Sequence, residues 1–253
     1  MLVRTDEPIE IGTPTGPMRA HVFRPAADGR FPGIALFSEI FQITGPIRRL
    51  ATSLAGHGYL VAAPEIFHEF EPPGCVLPYD EAGVARGNAH KKSKELGAID
   101  ADARGTLDLL KSMACCSGSL GSIGFCVGGH LSLRAAMEPD VLAAASFYAT
   151  DVHSRTLGRG GDDSLDRLGE ITGELLLVWG RQDPHVPREA RERIARALGD
   201  AGANYQWIEL NQQHAFMRDE GHRHDPAAAA ICWALTLDLF RRRLRGTTAD
   251  PTR

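Results

Sequence analysis

Residues 122–129 read Ser-Ile-Gly-Phe-Cys-Val-Gly-Gly, a short apolar run that leads into a cysteine flanked by glycines. The run is too short for a helix, and a helix-like segment follows at 128–137, so the pattern predicts a buried strand that turns sharply into a helix. Gly124 and Gly128 suit such a turn because they carry no side chain that could collide with neighbouring backbone. The stretch has the form of a nucleophile elbow with Cys126 in the nucleophile position.

A helix that begins directly after Cys126 would point free backbone N–H groups at the thiol. Such groups stabilise an oxyanion and favour a thiolate. Glycine-rich turns between a strand and a helix also bind phosphates, but the spacing here matches neither G-x-G-x-x-G nor G-x-x-x-x-G-K-[ST]. We therefore favour the nucleophile interpretation over a phosphate-binding loop.

The alternation of strand-like and helix-like segments extends from this elbow in both directions. Predicted strands, the first two forming a hairpin at a sheet edge, span residues 9–11, 18–23, 33–37, 59–63, 122–125, 142–148, 174–179 and 205–210. Predicted helices span residues 47–55, 98–113, 128–137 and 188–198, and a long last helix begins at Asp225 and Pro226. Repeated alternation of this kind is typical of an α/β protein with a mostly parallel central sheet and helices on both faces.

The length of 253 residues suits one domain that spans residues 1–253. Single α/β domains often reach about 250 residues, and no linker interrupts the pattern. The polar, Pro- and Gly-rich stretch 68–88 has no predicted element and is a candidate lid segment. The final segment, 246–253, is polar and is predicted to be frayed.

Charge and cysteine content exclude several functional classes. The 28 Lys and Arg residues against 32 Asp and Glu give a net charge of −4, which argues against a nucleic-acid or anionic-membrane partner. No run approaches the ~18 apolar residues of a membrane span, and the first residues lack the apolar core of a secretory signal. Five cysteines, an odd number without CxxC spacing, favour free thiols in a cytoplasmic protein.

Two further residues with catalytic chemistry follow later predicted strands. Asp183 lies in the loop after the strand that ends at Trp179, and His214 lies in the loop after the strand that ends at Leu210. The carboxyl ends of parallel strands meet at one edge of a sheet, where α/β proteins build their sites. Because a nucleophile needs a base, and the base an orienting group, the sequence predicts a triad of Cys126, His214 and Asp183.

A carboxylate follows a fourth strand. Glu39 comes directly after the apolar run 34–37, so it belongs either to a solvated loop or to the same cleft. Close to Cys126, it would accept the S–H hydrogen bond and oppose thiolate formation by charge repulsion. The backbone N–H groups of Ile40 and Val127, one after each strand, are the candidates for an oxyanion hole.

The other charged residues carry weaker signals. Arg218 stays near the predicted cleft and could hold a substrate carboxylate with two hydrogen bonds. Arg86, in the irregular stretch, could do the same, although a plain surface arginine is the simpler interpretation. The lysines at 91, 92 and 94 are interpreted as surface residues, and the polar loop 219–224 as a solvated or helix-capping loop rather than a metal site. We predict neither a metal nor an organic cofactor.

Four motifs together resemble the dienelactone hydrolase family (carboxymethylenebutenolidases), a branch of the α/β-hydrolases. They are Ser-Glu-Ile-Phe at 38–41, Gly-Phe-Cys-Val-Gly-Gly at 124–129, Gln-Asp-Pro-His-Val-Pro at 182–187 and His-Ala-Phe-Met-Arg at 214–218. The resemblance extends from about Thr15 to Leu244. It differs at Ser38, where the family often carries Gln.

This resemblance implies the α/β-hydrolase fold and a role for each matching residue. The implied roles are nucleophile for Cys126, base for His214, orienting group for Asp183 and, for Glu39, a carboxylate that keeps the thiol neutral until substrate displaces it. In the family an arginine after the histidine binds the substrate carboxylate, which corresponds to Arg218. A second such arginine corresponds only loosely to Arg86.

The predicted activity is cleavage of an ester or lactone through a thioester acyl-enzyme, in a monomer or small homo-oligomer acting on a small molecule that could bear a carboxylate. One alternative is a carboxylesterase or thioesterase of broad specificity on the same triad. Another, from a different class, is a non-catalytic protein that uses Cys126 as a reactive or redox-sensing thiol.

Overall fold

Within residues 1–245, which the computed structural model describes, eight strands form one sheet. In chain order they are β1 (Val3–Thr13), β2 (Gly16–Pro25), β3 (Phe31–Phe37), β4 (Leu60–Pro64), β5 (Cys116–Phe125), β6 (Val141–Phe147), β7 (Glu174–Gly180) and β8 (Asn204–Leu210). The order across the sheet is β1-β2-β4-β3-β5-β6-β7-β8. Strands β1 and β2 form the predicted antiparallel edge hairpin, β2 also pairs antiparallel with β4, and every pairing from β4 to β8 is parallel.

The helices cover both faces of this sheet. They are α1 (Gly45–Gly56), α2 (Glu81–Ser93), α3 (Leu96–Ser112), α4 (Val127–Ala135), α5 (Arg188–Asp200) and α6 (Pro226–Leu244), with a short 3-10 turn at Leu168–Glu170. None of the helices in the described part of the chain is long and apolar enough to cross a membrane. The architecture confirms the predicted α/β class with a mostly parallel sheet and helices on both faces.

Alternation along the central strands builds two cores. In β3, Ile34 and Leu36 belong to the core on one face, together with residues of α1 and α6. Ala35 and Phe37 belong to the core on the other face, together with residues of α3, α4 and α5. Successive side chains of a strand point to opposite faces, and both faces of a parallel sheet are covered. This is why the run in β3 is apolar throughout rather than alternating.

Three parts of the fold differ from the predictions. Helix α2 occupies part of the stretch that was predicted to be irregular, β1 begins at Val3 rather than at residue 9, and β5 begins at Cys116 rather than at residue 122. Helix α2 contains two glycines, and its only apolar residues are three alanines and one valine, so its sequence shows no apolar stripe. The Asp80 carboxylate caps it by accepting a hydrogen bond from the Gly83 N–H at 2.8 Å. The predicted frayed tail, 246–253, lies outside the described residues.

The elbow after β5 depends on glycines that let backbones touch. A Cβ atom added to Gly124 would lie 1.8 Å from the carbonyl oxygen of Gly128, and one added to Gly128 would lie 2.2 Å from the carbonyl oxygen of Phe37. At Gly129 the corresponding atom is the carbonyl oxygen of Phe147, at 2.6 Å. Backbone atoms cannot rotate away as side chains can, so α4 lies at this depth only because these positions lack side chains.

We expect Gly124→Ala to destabilise the protein by about 3 kcal/mol or more, because its methyl group would overlap backbone atoms. Urea unfolding followed by circular dichroism measures the change. Gly199→Ala is the matched control, since nothing lies within 4 Å of a Cβ at this exposed position in α5 and alanine favours helix by about 0.5–1 kcal/mol. Equal stability of the two variants would contradict this account of the elbow.

Candidate active site

Cys126 occupies the turn between β5 and α4 in a strained backbone conformation. Its φ of 59° and ψ of −121° lie in a region that side chains rarely adopt. The conformation is held from three directions: its N–H donates to the Phe147 carbonyl at 3.1 Å, and its carbonyl accepts from the N–H groups of Gly129 and Thr150. The half-buried sulfur therefore stands at the N-terminus of α4, where the helix dipole favours negative charge.

His214 and Asp183 form a buried pair in the loops after β8 and β7. The His214 Nδ1 atom lies 2.7 Å from Asp183 Oδ2, and the other carboxylate oxygen of Asp183 accepts the N–H of His185 at 2.8 Å. The His214 ring also packs edge-on against Tyr148, at 5.0 Å between centroids. These contacts determine the orientation of the imidazole, so its Nε2 atom is left to face the reacting groups.

The electrostatic environment strongly favours the protonated form of His214. Burial alone would lower the pKa of this histidine, but the negative charge and hydrogen bond of Cys126, together with the Asp183 carboxylate, raise the pKa to about 10. A buried imidazolium is stable here because the Asp183 carboxylate lies 2.7 Å from its Nδ1 atom. The arrangement can therefore hold His214 in its protonated form at neutral pH.

Glu39 lies in the same cavity but contacts an arginine. Its Oε2 atom is 3.3 Å from Nη1 of Arg218, and no hydrogen bond joins it to Cys126 within residues 1–245. Burial raises the pKa of the Glu39 carboxyl, and the positive charges of Arg218, His214 and Arg223 oppose that rise. The structure thus brings Glu39 to the predicted cleft and pairs it with the predicted substrate-binding arginine rather than with the thiol.

The two candidate oxyanion donors directly follow Cys126 and Glu39 in the chain. Val127 is the first residue of α4, where backbone N–H groups have no partner within the helix. Ile40 lies on the cavity wall next to Glu39, and α2 packs directly on its backbone. A Cβ atom added to Gly87 of α2 would lie only 2.6 Å from the Ile40 carbonyl oxygen, so the helix restricts the position of this peptide.

A cavity of about 290 Å³ joins these groups. Such a volume suits a small molecule. Its lining includes Glu39, Ile40, Cys126, His214 and Arg218, which the sequence predicted, together with Lys91, Asp151, His153, His185 and Arg223, which it did not. Asp151 and His153 follow the end of β6, so the strand-end argument that found Asp183 could have found them as well.

Arg86 does not reach this cavity, which corrects its predicted role in substrate binding. It lies on α2 with its side chain 55% exposed and its guanidinium 2.6 Å from the buried Glu71 carboxylate. The candidate lid contributes differently, through Val84 and Asn88 on the cavity wall. One face of the glycine-containing helix α2 therefore lines the site. The sequence did not reveal this face, because it predicted an irregular stretch instead of a helix here.

Two of the lysines interpreted as surface residues are buried. The Lys91 Nζ atom lies 2.8 Å from Asp151 in the cavity wall, and the Lys94 Nζ atom lies 2.7 Å from Asp102. Both lysines project from the C-terminal end of α2 or just beyond it, toward acids on other elements. A buried lysine needs such a partner, and partners this distant in sequence leave no local signal.

The polar loop 219–224, interpreted as solvated or capping, is held by an ion pair. Arg49 contacts Asp219 at 2.6 Å and Glu220 at 2.7 Å. Among the described residues, no group of three or more His, Cys, Asp or Glu side chains is placed to hold a metal ion.

An elbow cysteine after β5 and an acid–histidine pair after β7 and β8, on this sheet, define the α/β-hydrolase class. The sequence model of the dienelactone hydrolase family matches residues 18–244, and the chain belongs to this family. It is accordingly an enzyme, a hydrolase of ester or lactone bonds.

Relatives support the same conclusion over nearly the whole chain. A Saccharomyces cerevisiae protein named "Putative carboxymethylenebutenolidase" is 41% identical over 240 residues, covering 90% of this chain and 88% of the relative. The carboxymethylenebutenolidase of Pseudomonas sp. strain P51 is 26% identical and covers 90% and 91%, respectively. The crystal structure of a Klebsiella pneumoniae "Putative Dienelactone Hydrolase" has a TM-score of 0.84, covers 96% of this chain and 100% of its own, and at 23% identity supports the fold.

We expect Asp183→Asn to lower the pKa of His214 by about 1 to 3, because the substitution removes a neighbouring negative charge. An NMR titration of the His214 ring proton, assigned with a His214→Gln variant, measures the change. The folded pKa lies above the ordinary value, so protonation of His214 stabilises the wild type at neutral pH, and this stabilisation declines as the pH rises toward 10. Asp200→Asn, at the exposed end of α5, is the control; an unchanged titration in Asp183→Asn would contradict the pairing.

Proposed function

We propose that this hydrolase cleaves its ester or lactone through Cys126 as nucleophile, His214 as base and Asp183 as the orienting group. The proposal rests on the meeting of three residues that follow the ends of β5, β7 and β8. A strained cysteine at a helix N-terminus and a histidine held at 2.7 Å by a buried aspartate line one cavity. Nucleophile, base and orienting group in this order are the requirements of acyl transfer.

The first step forms a thioester. The Cys126 thiolate attacks the carbonyl carbon, and the oxyanion accepts hydrogen bonds from the N–H groups of Val127 and Ile40. When the carbon–oxygen bond breaks, protonated His214 gives its proton to the leaving alkoxide or enolate. If the substrate is a lactone, the leaving group stays attached to the acyl chain, and the ring opens.

The second step releases the acyl group. His214, now neutral, accepts a proton from water, and the hydroxide attacks the thioester carbonyl. The sulfur leaves as a thiolate beside the imidazolium that has just formed, so the starting ion pair is restored. Asp183 holds the imidazole in one orientation through both proton transfers and takes no proton itself. Neither of these two reaction steps requires a metal or an organic cofactor.

The proposed substrate is a small lactone or ester of the carboxymethylenebutenolide type, the class in the names of the relatives. Arg218, predicted to bind a substrate carboxylate, lines the cavity and supports an acidic substrate. We also propose a monomer or small homo-oligomer in a reducing, cytoplasm-like compartment. All five cysteines are free in the structure, and the proposed nucleophile is one of them.

Replacement of the nucleophile is the direct test. We expect Cys126→Ala to lower turnover of a dienelactone by about a thousandfold or more without loss of stability, because no other thiol lines the cavity among the described residues. Cys115→Ala, a partly buried cysteine elsewhere, is the control and should keep its activity. Mass spectrometry of rapidly quenched wild type should detect the acyl adduct on Cys126.

The alternative functions give different results in the same assays. A broad esterase would hydrolyse neutral aryl esters at least as efficiently as the dienelactone. A reactive-thiol sensor would be alkylated at Cys126 but would turn over neither substrate. Substantial residual hydrolysis by Cys126→Ala would contradict the assignment of the nucleophile.

A second variant tests the predicted role of Glu39 in restraining the thiol. We expect Glu39→Gln to increase the rate of Cys126 alkylation by iodoacetamide near pH 6–7, because removal of a nearby negative charge favours the thiolate. Rates measured across this pH range on wild type and variant give the comparison. Glu138→Gln serves as a charge-matched control outside the cavity, and identical rates for Glu39→Gln and wild type would rule out the restraint.

A further inference from the structure

A buried glutamine closes the turn that carries the Ile40 N–H. Gln42 is 1% exposed and has a φ of 66°, which residues other than glycine rarely adopt. Its N–H donates to the Glu39 carbonyl at 3.2 Å, and its own carbonyl accepts from the Thr44 N–H at 2.9 Å. The first of these hydrogen bonds closes a four-residue turn, 39–42, in which Ile40 is the second residue.

The Gln42 side chain joins this turn to the connection between β4 and α2. Its Oε1 atom accepts the Phe67 N–H at 3.1 Å, and its Nε2 atom donates to the Cys75 carbonyl at 3.2 Å. The direction of the amide follows from these partners, because a backbone N–H can only donate and a carbonyl can only accept. A third hydrogen bond, from the Leu77 N–H to the Phe41 carbonyl at 3.1 Å, links the same connection to the same turn.

The Ile40 N–H itself is available to a bound oxygen. Within residues 1–245 no backbone carbonyl accepts it. On the side of α2, a Cβ atom added to Gly87 would lie 2.6 Å from the Ile40 carbonyl oxygen and 2.9 Å from the Ile40 Cβ atom. An oxyanion donor lowers the barrier only if it points at the developing charge before the reaction begins. The direction of this N–H therefore depends on the groups that hold the 39–42 turn.

Gln42 can affect the reaction only through that turn. It is not among the cavity-lining residues in the described part of the chain, so it does not contact the substrate. A side chain at positive φ persists only where surrounding contacts hold it. Four hydrogen bonds hold Gln42, and its side chain makes two of them. Loss of the amide would release the turn from the connection between β4 and α2.

We propose that Gln42 is a positioning residue, which holds the 39–42 turn so that the Ile40 N–H points at the oxyanion formed when Cys126 attacks a carbonyl. This inference rests on the proposed function for the nucleophile and for the oxyanion hole. It gives the connection between β4 and α2 a role in stabilising the transition state, and one amide group transmits that role.

Two variants remove the amide bridge in different ways. Gln42→Met keeps the length of the side chain without its donor and acceptor, whereas Gln42→Asn tolerates a positive φ but is too short to reach both partners. In single-turnover experiments we expect each to slow acylation of Cys126 by a dienelactone by about tenfold to a hundredfold at unchanged substrate affinity, because a misdirected donor stabilises the oxyanion less. Thr236→Val, which removes a buried side-chain hydrogen bond in α6, is the control for a general loss of stability and should acylate at the wild-type rate.

A reaction of the same sulfur that forms no oxyanion separates positioning of the donor from a general disturbance of the site. Methyl methanethiosulfonate transfers its methylthio group to the Cys126 thiolate; a new disulfide bond forms as the old sulfur–sulfur bond breaks, and methanesulfinate leaves. We expect the rate of this transfer, followed by mass spectrometry of the Cys126 peptide, to stay within about twofold of wild type in both variants. Equal slowing of transfer and acylation, or acylation at the wild-type rate, would overturn the role of Gln42.

Binding of an aldehyde separates this inference from the proposed function. The Cys126 thiol adds to the carbonyl of butanal; a sulfur–carbon bond forms, and the oxygen takes up the thiol proton and lies at the oxyanion position. We expect the Kd for butanal to rise about tenfold in both Gln42 variants, with Cys126→Ala as the blank. If wild type hydrolyses neither ester nor lactone while this pattern holds, the proposed reaction fails and the positioning role stands. Equal affinity for butanal in wild type and both variants would contradict that role.

Discussion

Direct contact between backbone atoms beneath Cys126 sets the geometry of the elbow and of the cavity around it. Gly124, Gly128 and Gly129 leave no room for a Cβ atom, so α4 packs against the carbonyl groups of β3 and β6. This packing forces Cys126 to a positive φ and places its sulfur beside the first free N–H groups of the helix. The surrounding hydrogen bonds and the two cores on either side of the sheet stabilise that strained residue.

Charge pairing in a buried cavity is the second constraint. His214 can remain protonated because Cys126 and Asp183 both favour its charged form, and burial alone would have the opposite effect. Glu39 is held by Arg218, and Lys91 by Asp151.

The sequence predicted the groups that follow central strands. Cys126, Asp183, His214 and Glu39 were found because each lies at or shortly after the end of a predicted strand, and parallel strands bring their carboxyl ends to one edge. The roles of Arg86 and Lys91 could not be predicted in this way. Both lie on α2, whose sequence has no apolar stripe. The sequence therefore predicted neither the helix nor which of its side chains point toward the cavity.

The sequence alone determined the class of fold, the hairpin at the sheet edge and the order of nucleophile, acid and histidine along the chain, because apolar periodicity and glycine placement are local signals. Tertiary structure decided which charges meet. Glu39 and Arg218 are 179 residues apart, and Lys91 and Asp151 are 60 apart. The local sequence around such charged residues does not differ from that around solvated ones. Only the packing of the folded chain removes water from these side chains, and a buried charge then needs a counter-charge.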